Sequence, residues 1–223
     1  MTAPVWSVAL CLFKNVTPTD YQVPLEMMTR LWRDAIHYEM LQPPPAVNLT
    51  ITFLAETMEP VVAASGPHLI PTTTYAAALD KQFDVLMVPG GWATQAEELP
   101  QALHDFVKKQ YVGAKYILSI CTGAEILAHS GAFDGKTVTT NKAAFKRIRD
   151  TYSDRGITWV PKARWVVDGN LWSSSGVTAG GDMAYAWLNH ILGNETAEQI
   201  RVNVELINNA QGDDPFAAYY GLA

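Results

Sequence analysis

The sequence predicts one α/β domain, a mostly parallel sheet sandwiched between helices, and three observations predict it. Strand-like runs alternate with helix-like runs along the chain, the pattern of a parallel sheet covered on both faces. Two of the strand runs, FDVLMVPGG at 83–91 and YILSI at 116–120, are almost wholly apolar, as strands buried on both faces must be. The 223 residues, 48% hydrophobic and 17% charged, suffice for one substantial core, so a single domain over 1–223 is expected.

Taken in order, VWSVALCLF (5–13) is the first strand. A helix is expected from Pro24 to Tyr38, with Leu25, Met28, Leu31, Trp32 and Ile36 near helical spacing on one face. Proline lacks the N–H that a first helical residue leaves unpaired, so Pro24 reads as that residue and Gln42 to Pro45 as the stop. VNLTITFLA (47–55) is the second strand, and VVAASG with HLIPTTTY suggests a short β-ribbon. After the strand at 83–91, the segment 93–110 reads as helix, 116–120 as strand and 122–133 as helix. KTVTT, ITWV, RWVVDG and NLWSSSG supply further strands, and 177–192 and 195–209 the closing helices. The tail QGDDPFAAYYGLA reads as an ordered cap.

A formal charge of −6 and a pI near 5.3 leave no large positive field for a phosphate backbone or an anionic membrane, so nucleic acid is not an expected partner. The first residues have no basic region before their apolar run and no small-residue cleavage pattern after it, and read as a core strand. No stretch approaches the roughly 18 apolar residues of a membrane span. Cys11 and Cys121 are far apart and form no Cys-x-x-Cys pattern, which favours a reducing compartment, by default the cytosol. The five histidines show no metal spacing and no phosphate-binding glycine loop occurs.

The chemistry-bearing candidates cluster at strand ends. In YILSI-Cys121-Thr122-Gly123-Ala124-Glu125, a cysteine held between a strand and a helix sits on a tight, strained turn, the geometry of a nucleophile elbow. Unpaired N–H groups at the helix start should favour thiolate over thiol. The alternative is a buried, inert cysteine, which is the reading for Cys11 in mid-strand. Gly90 and Gly91 end a strand expected beside that of Cys121, with Trp92 following, and ligands of open α/β sheets bind outside such ends. The N–H groups of Gly91 and Thr122 could receive charge on an atom bound to sulfur; the alternative is a plain turn. Asp20, beyond the end of the first strand, could shuttle a proton. Thr17 followed by Asp20 also fits a capping box, in which the acid only secures a helix start, and Glu26 fits a favourable charge near a helix start. No histidine pairs with Cys121 by position, His129 lying two helical turns beyond it.

With these residues in view, the chain resembles the ThiJ/PfpI superfamily, the flavodoxin-like relatives of class I glutamine amidotransferases. The resemblance runs through VALCLF with Asp20 and PLE, FDVLMVPGG, SICTGAEILAHSGAFDGKTVTTN, KARWVVDGNLWSSSGVTAGGDMA and the terminal DDPF. The branch with an aspartate after the first strand and Cys-Thr-Gly at the elbow is similar to isocyanide hydratases. That resemblance implies Cys121 as nucleophile, Asp20 as proton shuttle, Thr122 as a pocket residue, no cofactor and a homodimer. Its substrate would be a small molecule, an isocyanide converted to a formamide. Many family members carry a histidine directly after the cysteine or in a Thr-Thr-His stretch, where this chain has Thr122 and Thr139-Thr140-Asn141. The glycine common before the first helix's proline is Val23 here. A glyoxalase-like branch, which generally uses a glutamate and often a histidine, and a non-enzymatic redox sensor acting through oxidation of Cys121 stand as alternatives. A transcriptional regulator is not expected, because no basic helix-turn-helix accompanies the acidic domain.

Overall fold

The computed structural model describes residues 3–37 and 41–223, without the side chains of 32–37. The predicted helix end at Tyr38 and the side chains of Trp32 and Ile36 lie outside that description.

The core is a seven-stranded sheet built from β1 (Val5–Cys11), β2 (Asn48–Ala55), β3 (Thr73–Thr74), β4 (Val85–Val88), β5 (Tyr116–Ile120), β8 (Trp165–Asp168) and β9 (Leu171–Ser174). Its spatial order is β3-β2-β1-β4-β5-β9-β8. Every pairing in it is parallel except the β8–β9 hairpin at one edge. The strands β6 (Thr137–Val138) and β7 (Thr158–Trp159) form a separate parallel pair. All residues of β4 and β9 are buried, which accounts for their apolar or small composition.

Helices α1 (Pro18–His37), α5 (Ala179–Leu192) and α6 (Asn194–Asn203) pack together, as do α2 (Gln101–Gln110) and α3 (Gly123–Ser130). The two short helices are α4 (Phe145–Thr151) and α7 (Phe216–Tyr219). Strand order reverses between β1 and β4, because β1 connects outward to β2 on one side while β4 leads to β5 on the other. Crevices open outside the carboxyl ends of the strands at such a reversal.

Three expectations are corrected. Pro24 lies inside α1; the helix starts six residues earlier, at another proline, Pro18. The first-position rule picked the right residue type and the wrong copy of it, and Pro24 leaves the Asp20 carbonyl without its helical donor. The segment 93–110 is not one helix but a short 3-10 turn, Ala96–Glu98, followed by α2. Pro100 separates them, since the residue before a proline is pushed out of the helical region and Leu99 is extended at φ −107°, ψ 148°. The expected ribbon near 61–74 is only an antiparallel bridge, Val61 to Leu69, with the edge strand β3 beside β2.

The tail is docked as expected. Asp214 is buried and pairs with the buried Lys142 at 3.3 Å, while Gln211 bonds the backbone at both Arg164 and Trp165.

Candidate active site

The elbow exists as a strained turn. Cys121, directly after β5, has φ +58°, a left-handed conformation that costs a non-glycine residue about 1–3 kcal/mol and is held only where the surroundings over-determine it. Those surroundings are explicit: Cys121 N–H donates to Ser175 O at 3.1 Å, and the Thr140 hydroxyl donates to Cys121 O at 2.9 Å. Gly123 lets α3 start against β4, where a Cβ would stand 2.2 Å from Val88 O.

The loops after β1 and β4 are laced together beside it. Val16 and Gly91 form an isolated bridge, and Trp92 N–H donates to Asn15 O at 3.1 Å. Thr17 N–H donates to Gly90 O at 2.9 Å, and Gly90 N–H donates to Asp20 Oδ2 at 2.8 Å. The capping-box alternative for Asp20 therefore fails, because the N–H the acid would have accepted is bound to Gly90 O. Asp20 is fully buried, and its other oxygen, Oδ1, has no N–H or hydroxyl donor among the described residues.

Cys121 and Asp20 sit in each other's field. Burial pushes the Asp20 carboxyl up to about 6, against the opposing pull of the Gly90 N–H and the Cys121 thiol. Burial and the Asp20 charge together push the thiol up to about 12, although the N–H groups of Val177 and Thr122 and the Asn141 side chain favour thiolate. The expected low-pKa thiol is thus corrected: the helix start acts in the predicted direction, but desolvation and a neighbouring carboxylate outweigh it. A thiol and a carboxylic acid this close titrate as a pair. Near neutral pH they hold one proton between them. Cys11 is also pushed up to about 12, by burial in β1, but its side-chain partner is Tyr75 and not an acid.

Thr122 hydroxyl donates to Gly91 O and accepts from Gly91 N–H, both at 3.0 Å. This ties the elbow to the β4 loop and removes Gly91 N–H from the pair expected to face the reacting atom. The second backbone donor near sulfur is Val177, in the turn after β9, a residue the sequence reading missed. It missed Asn141 as well, noting only that no histidine stands there. Asn141 Oδ1 accepts the N–H groups of Ala143 and Ala144, at 2.9 and 3.3 Å, which leaves its NH₂ as the end that serves sulfur. The rule that ligands gather beyond strand ends, applied to β9 as it was to β4, would have flagged 175–177. Trp92 is 85% exposed. Among the described residues no cluster of three or more His, Cys, Asp or Glu could hold a metal, and no helix is long and apolar enough to cross a membrane.

Gly90 is the tightest point of the site. A Cβ there would lie 2.6 Å from both Thr122 N and Oγ1 and 2.9 Å from Asp20 Oδ2. Gly90→Ala is expected to cost about 1–3 kcal/mol from overpacking and to slow alkylation of Cys121 by displacing both neighbours. Thermal melting with iodoacetamide kinetics measures this; unchanged values in both would show that the strand end does not shape the site.

Comparison with known proteins gives the family and the fold. The model of the DJ-1/PfpI family matches residues 6–190. The chain is 32% identical over 168 residues to isonitrile hydratase of Pseudomonas putida, covering 75% of this chain and 70% of that protein. It is 37% identical over 107 residues to a deglycase of Pyrococcus abyssi, covering 48% of this chain and 59% of that one. Among solved structures, a ThiJ/PfpI family protein from Pseudomonas syringae superposes with a TM-score of 0.73 at 23% identity, covering 93% of this chain and 78% of that one. Drosophila melanogaster DJ-1beta gives 0.71 at 19%, covering 92% and 100%. With the family model matching most of its length and the same fold in solved relatives, this chain belongs to the DJ-1/PfpI family.

Proposed function

We propose that the protein hydrates an isocyanide to an N-substituted formamide through a covalent bond to Cys121. The observation that carries the reading is the buried Asp20 carboxylate beside the Cys121 thiol, with no histidine among the groups that act on the sulfur. This is a one-proton pair, and the reaction needs one proton moved twice. Asp20 takes the thiol proton as sulfur adds to the isocyanide carbon, then delivers it to that carbon, giving a thioimidate. Water adds to the thioimidate carbon, the C–S bond breaks, nitrogen gains a proton and the formamide leaves with the thiol restored. The N–H groups of Thr122 and Val177 and the Asn141 amide stabilise charge on sulfur in both steps. The 32% identity to isonitrile hydratase supports the same choice.

A second reading is favoured by the deglycase match and by 27% identity over 85 residues to a glutathione-independent glyoxalase of Caenorhabditis elegans. There Cys121 would add to the aldehyde of an α-oxoaldehyde. A turnover screen of the purified protein against isocyanides and α-oxoaldehydes separates the two. Formamide release from the first class alone supports the hydratase, and lactate-type products from the second overturn it.

We also propose that the protein is a homodimer. Trp92, Ile70 and Met58 are large apolar side chains more than half exposed, and pairing would cover such surface. Light scattering at micromolar concentration is expected to give twice the chain mass; a persistent 24.5 kDa species sinks the proposal.

A further inference from the structure

A cleft of about 200 Å³ lies against the site, between the 175–178 turn and the docked tail, with Asn141, Ala143, Gly176, Phe216 and Tyr220 in its walls. It shares two walls with the sulfur. One is Asn141, whose side chain serves Cys121. The other is the turn whose Ser175 O accepts the Cys121 N–H and whose Val177 N–H serves Sγ. A Cβ at Gly176 would stand 2.7 Å from Asn141 Nδ2, so a larger residue there would push on the Asn141 side chain.

We propose that this cleft seats the nitrogen substituent of the substrate, and that it selects a neutral, compact group the size of one ring. The inference takes its substrate from the hydratase reading and its geometry from the cleft alone. Its volume is below the ~300–1,000 Å³ of pockets for drug-sized ligands, so a ring fits and a peptide does not. Its two cations are already engaged. Lys142 Nζ donates to Thr139 Oγ1 at 2.8 Å and Ala163 O at 3.0 Å and pairs with Asp214, while Arg164 pairs with Asp182 at 2.5 Å and reaches Thr178. An anionic substituent would have to compete with buried carboxylates for them. What faces a ligand is the aromatic rim, Phe216 and Tyr220, 52% and 41% exposed, and the small residues Ala143 and Gly176.

The test fills and opens the cleft at two exposed positions, Ala143→Trp and Phe216→Ala, neither of which touches the sulfur. For methyl and cyclohexyl isocyanide, Ala143→Trp is expected to lower kcat/KM for the cyclohexyl compound about tenfold or more while leaving methyl within about twofold. Phe216→Ala is expected to weaken the preference for the ring. A ring-carboxylated isocyanide should be turned over about tenfold or more slowly than its neutral parent. In parallel, Cys121 is labelled with iodoacetamide and with N-phenylmaleimide, and Ala143→Trp should slow only the second. Unchanged cyclohexyl-to-methyl ratios in both variants, or equal turnover of the carboxylated ring, overturn the proposal. If no isocyanide is turned over, the hydratase reading fails by itself; the labelling ratio then decides the cleft, a fall supporting it and no change overturning it.

Discussion

Cys121→Ser is expected to lose turnover by about a million-fold, the scale seen when a covalent nucleophile is removed, with the fold intact. A serine hydroxyl occupies nearly the same volume and can keep the same backbone bonds to Ser175 and Thr140. Its proton, however, is held several orders of magnitude more tightly than that of a thiol, and a carboxylate pushed up to about 6 is too weak a base to take it. The control is alkylation. Wild-type protein should take up one equivalent of iodoacetamide at native pH, because Cys11 is fully buried in β1 and has no acid partner. The serine variant should take up none until it unfolds. Turnover retained in the variant, or the same alkylation rate in both proteins, would remove Cys121 from the mechanism.

Asp20→Asn is expected to lower turnover by about a hundred to ten thousand fold, the usual loss for a general acid or base, and yet to melt higher at neutral pH. Asparagine offers an oxygen to the Gly90 N–H and cannot move a proton. The folded-state pKa of Asp20 is raised, from 3.8 to about 6, so its protonated form is the one the fold favours. The contribution is fully present below about pH 4 and is lost as pH rises through 6. At pH 7.5 the wild type thus carries the cost of an ionised buried carboxylate, at most roughly 3 kcal/mol for a shift of about two pH units, and the variant does not. Melting curves should show the variant ahead by several degrees at pH 7.5 and level with wild type near pH 4. Cys121 should still be alkylated in the variant, and from a lower pH than in the wild type, because the Asp20 charge that helps hold the thiol proton is gone. Near-normal turnover in Asp20→Asn would reduce the acid to a structural role and favour the oxoaldehyde chemistry. A higher melting point with lost turnover would identify the charge as a functional strain in the fold.

Much of the fold and part of the site were written locally. The alternation of apolar strands with helices, the strand-turn-helix around Cys121 and the position of Asp20 beyond β1 depend on residues adjacent in sequence, so pattern and spacing determined them. Element starts next to prolines were less legible, because a proline can open a helix, as Pro18 does, or be tolerated within it, as Pro24 is. The protonation of the site was decided by tertiary structure. A helix start lowers a thiol pKa, but how far Cys121 is desolvated, and that the Asp20 carboxylate reaches it, depend on three strand ends meeting at the reversal of strand order. The donors from Asn141 and Val177 likewise come from segments remote in sequence, brought to the sulfur by the β5–β9 pairing and by the Thr140 bond to the Cys121 carbonyl. The sequence by itself determined which residues could react; tertiary packing, by setting their burial and their neighbours' charges, decided where the proton resides.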